Sequence, residues 1–432
     1  MKGNVIVGQS GGPTAVINSS LAGVYRTAID RGAKKVYGMR YGIQGLLDEQ
    51  YLDLSKHIKN DLDVEILKRT PSAFLGTCRY KLPDIHENQE IYVRLFEILE
   101  KLNIECFIYI GGNDSMDTIK KLSDYAILTG KKQKFVGVPK TIDNDLALTD
   151  HTPGFGSAAK YIATSTKEVI RDGLGFSYKK KQVTIIEIMG RNAGWLTGAS
   201  ALSRGEDCDG PDLIYLPEIA FDIEKFMARV RKLLEKKDVV VVAVSEGIRT
   251  ADGKYVSELS ATIDYVDAFG HKQLTGTASY LANLVSQDIG CKARSVEFST
   301  LQRSAAHLAS RVDVNEAFMV GGAAVKAADE GDTGKMVVID RVSDDPYQSA
   351  TGIYDVHKIA NDEKLVPREW ITKDGTYVTE EFIDYVWPLI QGDYPCVMVG
   401  GIPRHLYMST GAPRGRRGNK EERERETGDY LQ

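Results

Sequence analysis

The sequence predicts an α/β fold with parallel-type sheets, on three observations. Several short runs are apolar along their whole length instead of alternating, the pattern of strands buried on both faces. Stretches with helical apolar spacing separate them. Glycines stand at several junctions where a run ends and a helix begins, which is where such sheets hold ligands.

The first run is NVIVGQ (4–9), followed by Pro13 and a helical stretch to Gly32; a proline in the first turn and a glycine at the end suit a helix's two termini. An amphipathic stretch (89–103) leads to the strand CFIYIGG (106–112), a helix from about 115 and the strand KFVGVP (134–139). The alternation continues with a helix near 156–171, VTIIEIMG (183–190), a helix from about 193 and DLIYLP (212–217). A helix over 222–237 opens at Asp222 and lines up Ile223, Phe226, Val230, Leu233 and Leu234 before DVVVVAVSEG (238–247). No internal repeat stands out. The stretch 341–412 is less periodic and reads as an appended segment, and 414–432 mixes charges with almost no apolar content, as a mobile tail does.

Composition narrows the class. A length of 432 residues suggests two or three domains at about 150 residues each. Apolar residues make up 42% and charged ones 27%, enough for more than one core. With 55 basic and 60 acidic residues the net charge is −5, so neither nucleic acid nor an anionic membrane is an expected partner. Five scattered cysteines without metal spacing read as reduced thiols. The first apolar run is too short for a signal peptide and Val239–Val244 is far below a membrane span. The expectation is a soluble, cytoplasmic protein.

Four loops carry residues suited to chemistry. In GQSGGPTAVIN (8–18), Gly11 and Gly12 let the backbone approach a phosphate; an ordinary glycine turn is the competing reading. In IGGNDSMDT (110–118), Gly111 and Gly112 repeat the pattern, and Asn113, Asp114 and Asp117 suit magnesium or water, unless Asp114 or Ser115 merely caps the helix. PKTIDNDL (139–146) sets Lys140, Asp143 and Asp145 within six residues. A turn explains Asp-Asn-Asp but not the lysine, whereas phosphoryl transfer uses both a compact cation and a carboxylate. In EIMGRNAG (187–194), Arg191 leaves a strand end beside glycine, placed to grip a phosphate or form a surface ion pair. Together the loops predict phosphoryl transfer to a hydroxyl, between two phosphate-bearing substrates with magnesium.

At these residues the sequence closely resembles the phosphofructokinase family, through SGG (10–12), GTCR (76–79), IGGNDS (110–115), PKTIDND (139–145), MGR (189–191), SEG (245–247) and LQR (301–303), in order. The resemblance implies two similar Rossmann-like domains with the active site in the cleft between them. These would be a larger donor-side domain (1–155 and 302–345) and a smaller sugar-side domain (156–301), followed by an extension (346–432). It implies phosphorylation of fructose 6-phosphate at its 1-hydroxyl in glycolysis or gluconeogenesis, with Mg2+, by a homodimer or homotetramer. By the resemblance, Asp143 is the general base, with Thr141 and Ile142 beside the substrate. Met189, Gly190 and Arg191 hold sugar and transferring phosphoryl, and Glu246 binds sugar hydroxyls. Arg303 and Arg294 clamp the 6-phosphate, Arg294 from a neighbouring subunit. Gly11, Gly12 and Arg79 lie at the donor, and Asn113 and Asp145 at the magnesium.

The donor is read from two positions. ATP-using members typically have glycine where this chain has Asp114 and Lys140. A carboxylate at 114 repels the α-phosphate of ATP, and the lysine meets a pyrophosphate leaving group, so the chain resembles the pyrophosphate-dependent branch; ATP dependence is the alternative. Three positions depart from the family pattern. Asn113 replaces an aspartate, leaving Asp114 or Asp145 to take over the metal. Thr300 replaces a histidine, and Gln182 an arginine that crosses the interface, with Lys179, Lys180 and Lys181 as substitutes. MGR, SEG and LQR argue against the lipid and NAD kinases. Asp143, Arg191 and Lys140 argue against a non-catalytic sugar-phosphate-binding subunit.

Overall fold

The computed structural model describes residues 1–259, 276–358 and 363–408; the charged tail 414–432 lies outside them. Two sheets organise the chain. The larger contains β1 (Asn4–Gln9), β2 (Val36–Met39), β3 (Tyr51–Asp53), β4 (Ile104–Gly111) and β5 (Lys134–Pro139). The smaller contains β6 (Gln182–Ile188), β7 (Leu213–Tyr215), β8 (Val239–Ser245) and β9 (Lys292–Glu297). The chain then returns to the larger sheet with β10 (Lys335–Asp344) and β11 (Tyr347–Asp355). The strand orders are β11-β10-β5-β4-β1-β2-β3 and β7-β8-β6-β9.

The uniformly apolar strands lie where that pattern requires, each alternating between two buried layers. In β1, Val5 and Val7 pack with helices Ile17–Asp30 and Arg311–Glu330, while Ile6 faces helices Gln89–Lys101 and Asn113–Thr129. In β8, Val239, Val241 and Ala243 join the core under helix Phe155–Gly175, and Val240, Val242 and Val244 join that under helices Ile223–Leu234 and Thr277–Ile289. Asp222 caps the first of this last pair by accepting the Lys225 N–H at 3.0 Å.

Three expectations are corrected. The larger sheet is parallel only at its centre, since β3 and β11 pair antiparallel at its two edges. The helix after the first glycine loop begins at Ile17, leaving Pro13 outside it; Gly11, at φ +76°, turns the chain before the helix starts. The stretch after 345 is not appended. β11 completes the larger sheet, while Val378, Phe382, Val386 and Leu389 pack with Trp195 in the smaller half's core. Its polar composition hides this because only every third or fourth residue turns inward.

β9, like the edge strands β3 and β11, has no buried residue. It is an outer strand of the smaller sheet and largely exposed along Lys292–Glu297. Among the described residues no helix is long and apolar enough to cross a membrane.

Candidate active site

The carboxyl ends of β1, β4 and β5 bring the first three loops together, as parallel pairing demands. The Lys140 N–H bonds the Gly111 carbonyl at 3.0 Å, continuing the β4–β5 ladder into the loops. Lys140, only 3% exposed, turns its ammonium back to the Gly12 carbonyl at 2.8 Å. A Cβ built at Gly11 would lie 3.2 Å from that nitrogen, and one at Gly12 would lie 3.4 Å from Arg303 Nη1. The two glycines thus leave a surface that two cations approach. Thr77, from GTCR, steadies it by donating its hydroxyl to the Gly11 carbonyl at 2.7 Å.

Asp143 is half-buried in a tight turn. Its N–H bonds the Thr141 hydroxyl at 3.1 Å, and that hydroxyl reaches back to Asp143 Oδ2 at 3.3 Å. Ile142, expected beside the substrate, packs its side chain into the core, so only its backbone is available there. Asn144 is fully buried at φ +56°, a conformation in which an asparagine side chain can still bond locally.

The other half supplies the facing wall. Gly190, at φ +133°, sends its N–H to Glu246 Oε1 at 3.3 Å, and its carbonyl accepts the Ser245 hydroxyl at 2.5 Å. The Met189 N–H bonds Gln302 Oε1 at 3.3 Å, tying the MGR loop to the turn that carries Arg303. A Cβ at Gly247 would meet the Arg191 carbonyl at 1.9 Å, so only glycine lets the two loops pass. Gln302, Asn144 and Gly247 all sit inside matched motifs without having been singled out, because their roles are contacts across loops.

The electrostatics join these walls into one site. Burial pushes Lys140 down to about 8, against the pull of Asp143 and Asp145. Burial raises Asp143, while Lys140, the Thr141 hydroxyl, Arg191 and Arg303 draw it back. Asp145 rises to about 7 through burial and then the neighbouring Asp143 charge, and Glu246 to about 8 by the same two causes. Arg303 is lowered by burial and by Arg79. Four carboxylate and arginine partners around one lysine are a site for anions with a proton to move.

Three expected residues stand apart, and Gln182, the departure from the family's interface arginine, turns inward. Arg294 and Thr300 are exposed, on β9 and just ahead of the Arg303 turn, and neither side chain bonds to this cluster among the described residues. Asp114 is exposed in the first turn of helix Asn113–Thr129, whose cap is Gly112, so the capping alternative for Asp114 and Ser115 does not hold. Gln182 cannot cross an interface, because it is 7% exposed and donates inward to the Gly173 carbonyl at 2.5 Å.

Among the described residues no group of three His, Cys, Asp or Glu side chains forms a self-sufficient metal site. Magnesium seldom needs one, being held by one or two carboxylates together with water and substrate phosphates. Asn113 Oδ1 is buried without a hydrogen-bond partner, and Asp145 is raised partly by Asp143 and Glu363. An unsatisfied oxygen and crowded carboxylates fit a hard divalent cation.

Comparison with known proteins places the chain in a family. The phosphofructokinase family model matches residues 4–328. A pyrophosphate–fructose 6-phosphate 1-phosphotransferase of Xanthomonas campestris is 44% identical over 407 residues, 94% of this chain and 96% of that one. One of Halomonas elongata is 42% identical over 93% of this chain and 95% of its own. The crystal structure of a pyrophosphate-dependent phosphofructokinase from Nitrosospira multiformis superposes with a TM-score of 0.84 at 38% identity, covering 93% of this chain and 95% of that one.

Proposed function

Because this chain belongs to the phosphofructokinase family, we propose that it transfers a phosphoryl group from pyrophosphate to the 1-hydroxyl of fructose 6-phosphate, reversibly, in the cytoplasm. The observation that carries the choice of donor is Lys140, buried between the glycine loops with its ammonium on the Gly12 carbonyl. A compact cation there serves a small diphosphate and stands where ATP users keep glycine.

The residues act as follows. Asp143 accepts the proton of the 1-hydroxyl; the oxygen then attacks the nearer phosphorus, the bridging P–O bond breaks, and phosphate leaves. Burial raises the base, and Lys140, the Thr141 hydroxyl and Arg191 oppose that rise. Lys140 and Arg79 meet the leaving phosphate, Arg191 grips the group in transit, Arg303 clamps the sugar's 6-phosphate and Glu246 takes sugar hydroxyls. Family enzymes generally use a divalent metal; here magnesium would be held by Asp145 and Asn113, neutralising charge on the diphosphate. Arg294, exposed on the outer strand β9, would serve a second copy's 6-phosphate, with a homodimer or homotetramer as the active form. The larger-domain, smaller-domain division at 155 and 301 follows the passage of the chain between the two sheets.

Assay of fructose 6-phosphate with pyrophosphate and then with ATP tests the reading. Fructose 1,6-bisphosphate should form with pyrophosphate at a kcat/KM at least about a thousandfold above that with ATP. Preference for ATP would overturn the donor, and transfer from neither would overturn the reaction.

A further inference from the structure

The residues after 345 reach the active-site loops directly. Leu146 and Glu363 form an antiparallel bridge, and the Lys364 N–H bonds the Asp145 carbonyl at 2.9 Å. The same short segment grips the opposite wall: Asn192 Nδ2 donates to Glu363 Oε1 at 2.9 Å, and Trp195 Nε1 to the Lys364 carbonyl at 2.8 Å. Glu218 Oε1 accepts from both the Gly194 N–H at 2.8 Å and the Val366 N–H at 3.0 Å. Residues 363–366 therefore span from the loop of Asp143 to the loop of Arg191.

Tyr385 closes the arrangement. Its hydroxyl accepts from Asn144 Nδ2 at 2.9 Å and from Lys364 Nζ at 3.1 Å, and donates to the Asp150 carbonyl at 2.5 Å. Asn144 Oδ1 accepts the Thr152 N–H at 3.1 Å, so both ends of a left-handed residue between Asp143 and Asp145 are held. Lys364 Nζ also bonds the Asp150 and Thr149 carbonyls, and it lies 5.0 Å from the Trp195 ring centre. The Tyr385 ring is wedged between Trp195 and Trp370, each 5.2 Å away. Lys364, Trp370 and Tyr385 have no place in the transfer itself, and they lie beyond residue 328, where the family match ends.

We propose that residues 363–366 with Tyr385 form a brace across the cleft, in which Lys364 and Tyr385 are positioning residues for the general-base loop. The proposal rests on the phosphofructokinase reading. Its logic is distance: a base displaced by about 1 Å loses on the order of 100-fold in rate without losing substrate affinity. Such a brace also sets the separation between the base on one half and the phosphoryl grip on the other.

The experiment uses the full chain with Tyr385→Phe, which keeps the wedged ring, and Lys364→Met, which keeps the stem. Val378→Ala, a buried change in the same segment that removes no hydrogen bond of the brace, is the control for lost stability. The expected result for the two brace variants is a kcat lower by about tenfold or more, with KM for both substrates within about threefold. Amide exchange over 141–148 should accelerate by about tenfold or more in both. The control should keep kcat within about twofold at a matched loss of melting temperature. Unchanged exchange over 141–148 overturns the brace, as does an equal fall of kcat in the control. If the wild type transfers phosphoryl from neither donor, it is the reaction assignment that fails, and the exchange measurement still decides the brace.

Discussion

Lys140 and Asp143 sit three residues apart on either side of Thr141 and Ile142, and their environments oppose each other: burial raises the acid and lowers the lysine, while each charge restrains the other's shift. They should fail in different ways when altered. Asp143→Asn preserves the turn and removes the base, and kcat should fall by about 10²–10⁴ with little change in KM; turnover within about tenfold of wild type would falsify the assignment. Lys140→Gly should lower the pyrophosphate rate by about 10²–10³, the cost of one transition-state cation. Asp114→Gly acts from the exposed first turn of its helix, so it should raise activity with ATP while leaving pyrophosphate turnover near that of the parent. The double variant should favour ATP. Steady-state kinetics with both donors on these proteins would show the order of effects. Arg303 was expected at the sugar's 6-phosphate alone, yet its guanidinium also faces Gly12 and Arg79. Arg303→Ala should therefore weaken both substrates, by about ten- to a hundredfold for fructose 6-phosphate, whereas Arg294→Ala should weaken only the sugar.

The catalytic loop is an element whose strength comes from buried charge behind it. His151 is 1% exposed between Asp150 Oδ2 at 2.8 Å and Glu316 Oε2 at 2.6 Å. Burial opposes its protonation, but the Glu316 charge and the bonds to Asp150 and Glu316 prevail and lift it from 6.5 to about 9. Because the folded value lies above the ordinary one, the stabilisation is complete below pH 6.5 and disappears as pH rises through 9. It is worth on the order of 3 kcal/mol. The melting temperature should thus fall between pH 7 and 9.5, and His151→Gln should flatten that limb while lowering stability at pH 6.5. A parallel fall in the variant would place the pH sensitivity elsewhere. This element also shows the limit of reading by motif. TIDND announces a base, but the imidazolium, Glu316, Tyr347 and Arg341 that support its far end come from four separate stretches of chain.

At the scale of the molecule, the exposed outer strand β9 is the surface through which Arg294 would act in a neighbour. An unpaired strand edge favours association, so sedimentation velocity in assay buffer should show a dimer or tetramer, and dilution to monomer should abolish fructose 6-phosphate turnover. A fully active monomer would leave Arg294 without a role. The sequence by itself determined the α/β class, the strands β1, β4, β5, β6 and β8, and the loops that hold Gly11, Lys140, Asp143 and Arg191, while Glu246 and Arg303 came from the resemblance to the family. It could do so because burial on both faces writes a continuous apolar run, and because phosphoryl chemistry demands particular residue types at strand ends. Only the tertiary structure decided that β3 and β11 close the larger sheet antiparallel, that Gln182 turns inward, and that Arg303 faces the donor loop. It alone showed that residues after 345 complete both halves and bond to the loop that carries Asp143. Edge strands and bracing segments bury one face or a few side chains, and their partners lie hundreds of residues away. Asn144 and Tyr385 are 241 positions apart, so no local pattern records their hydrogen bond.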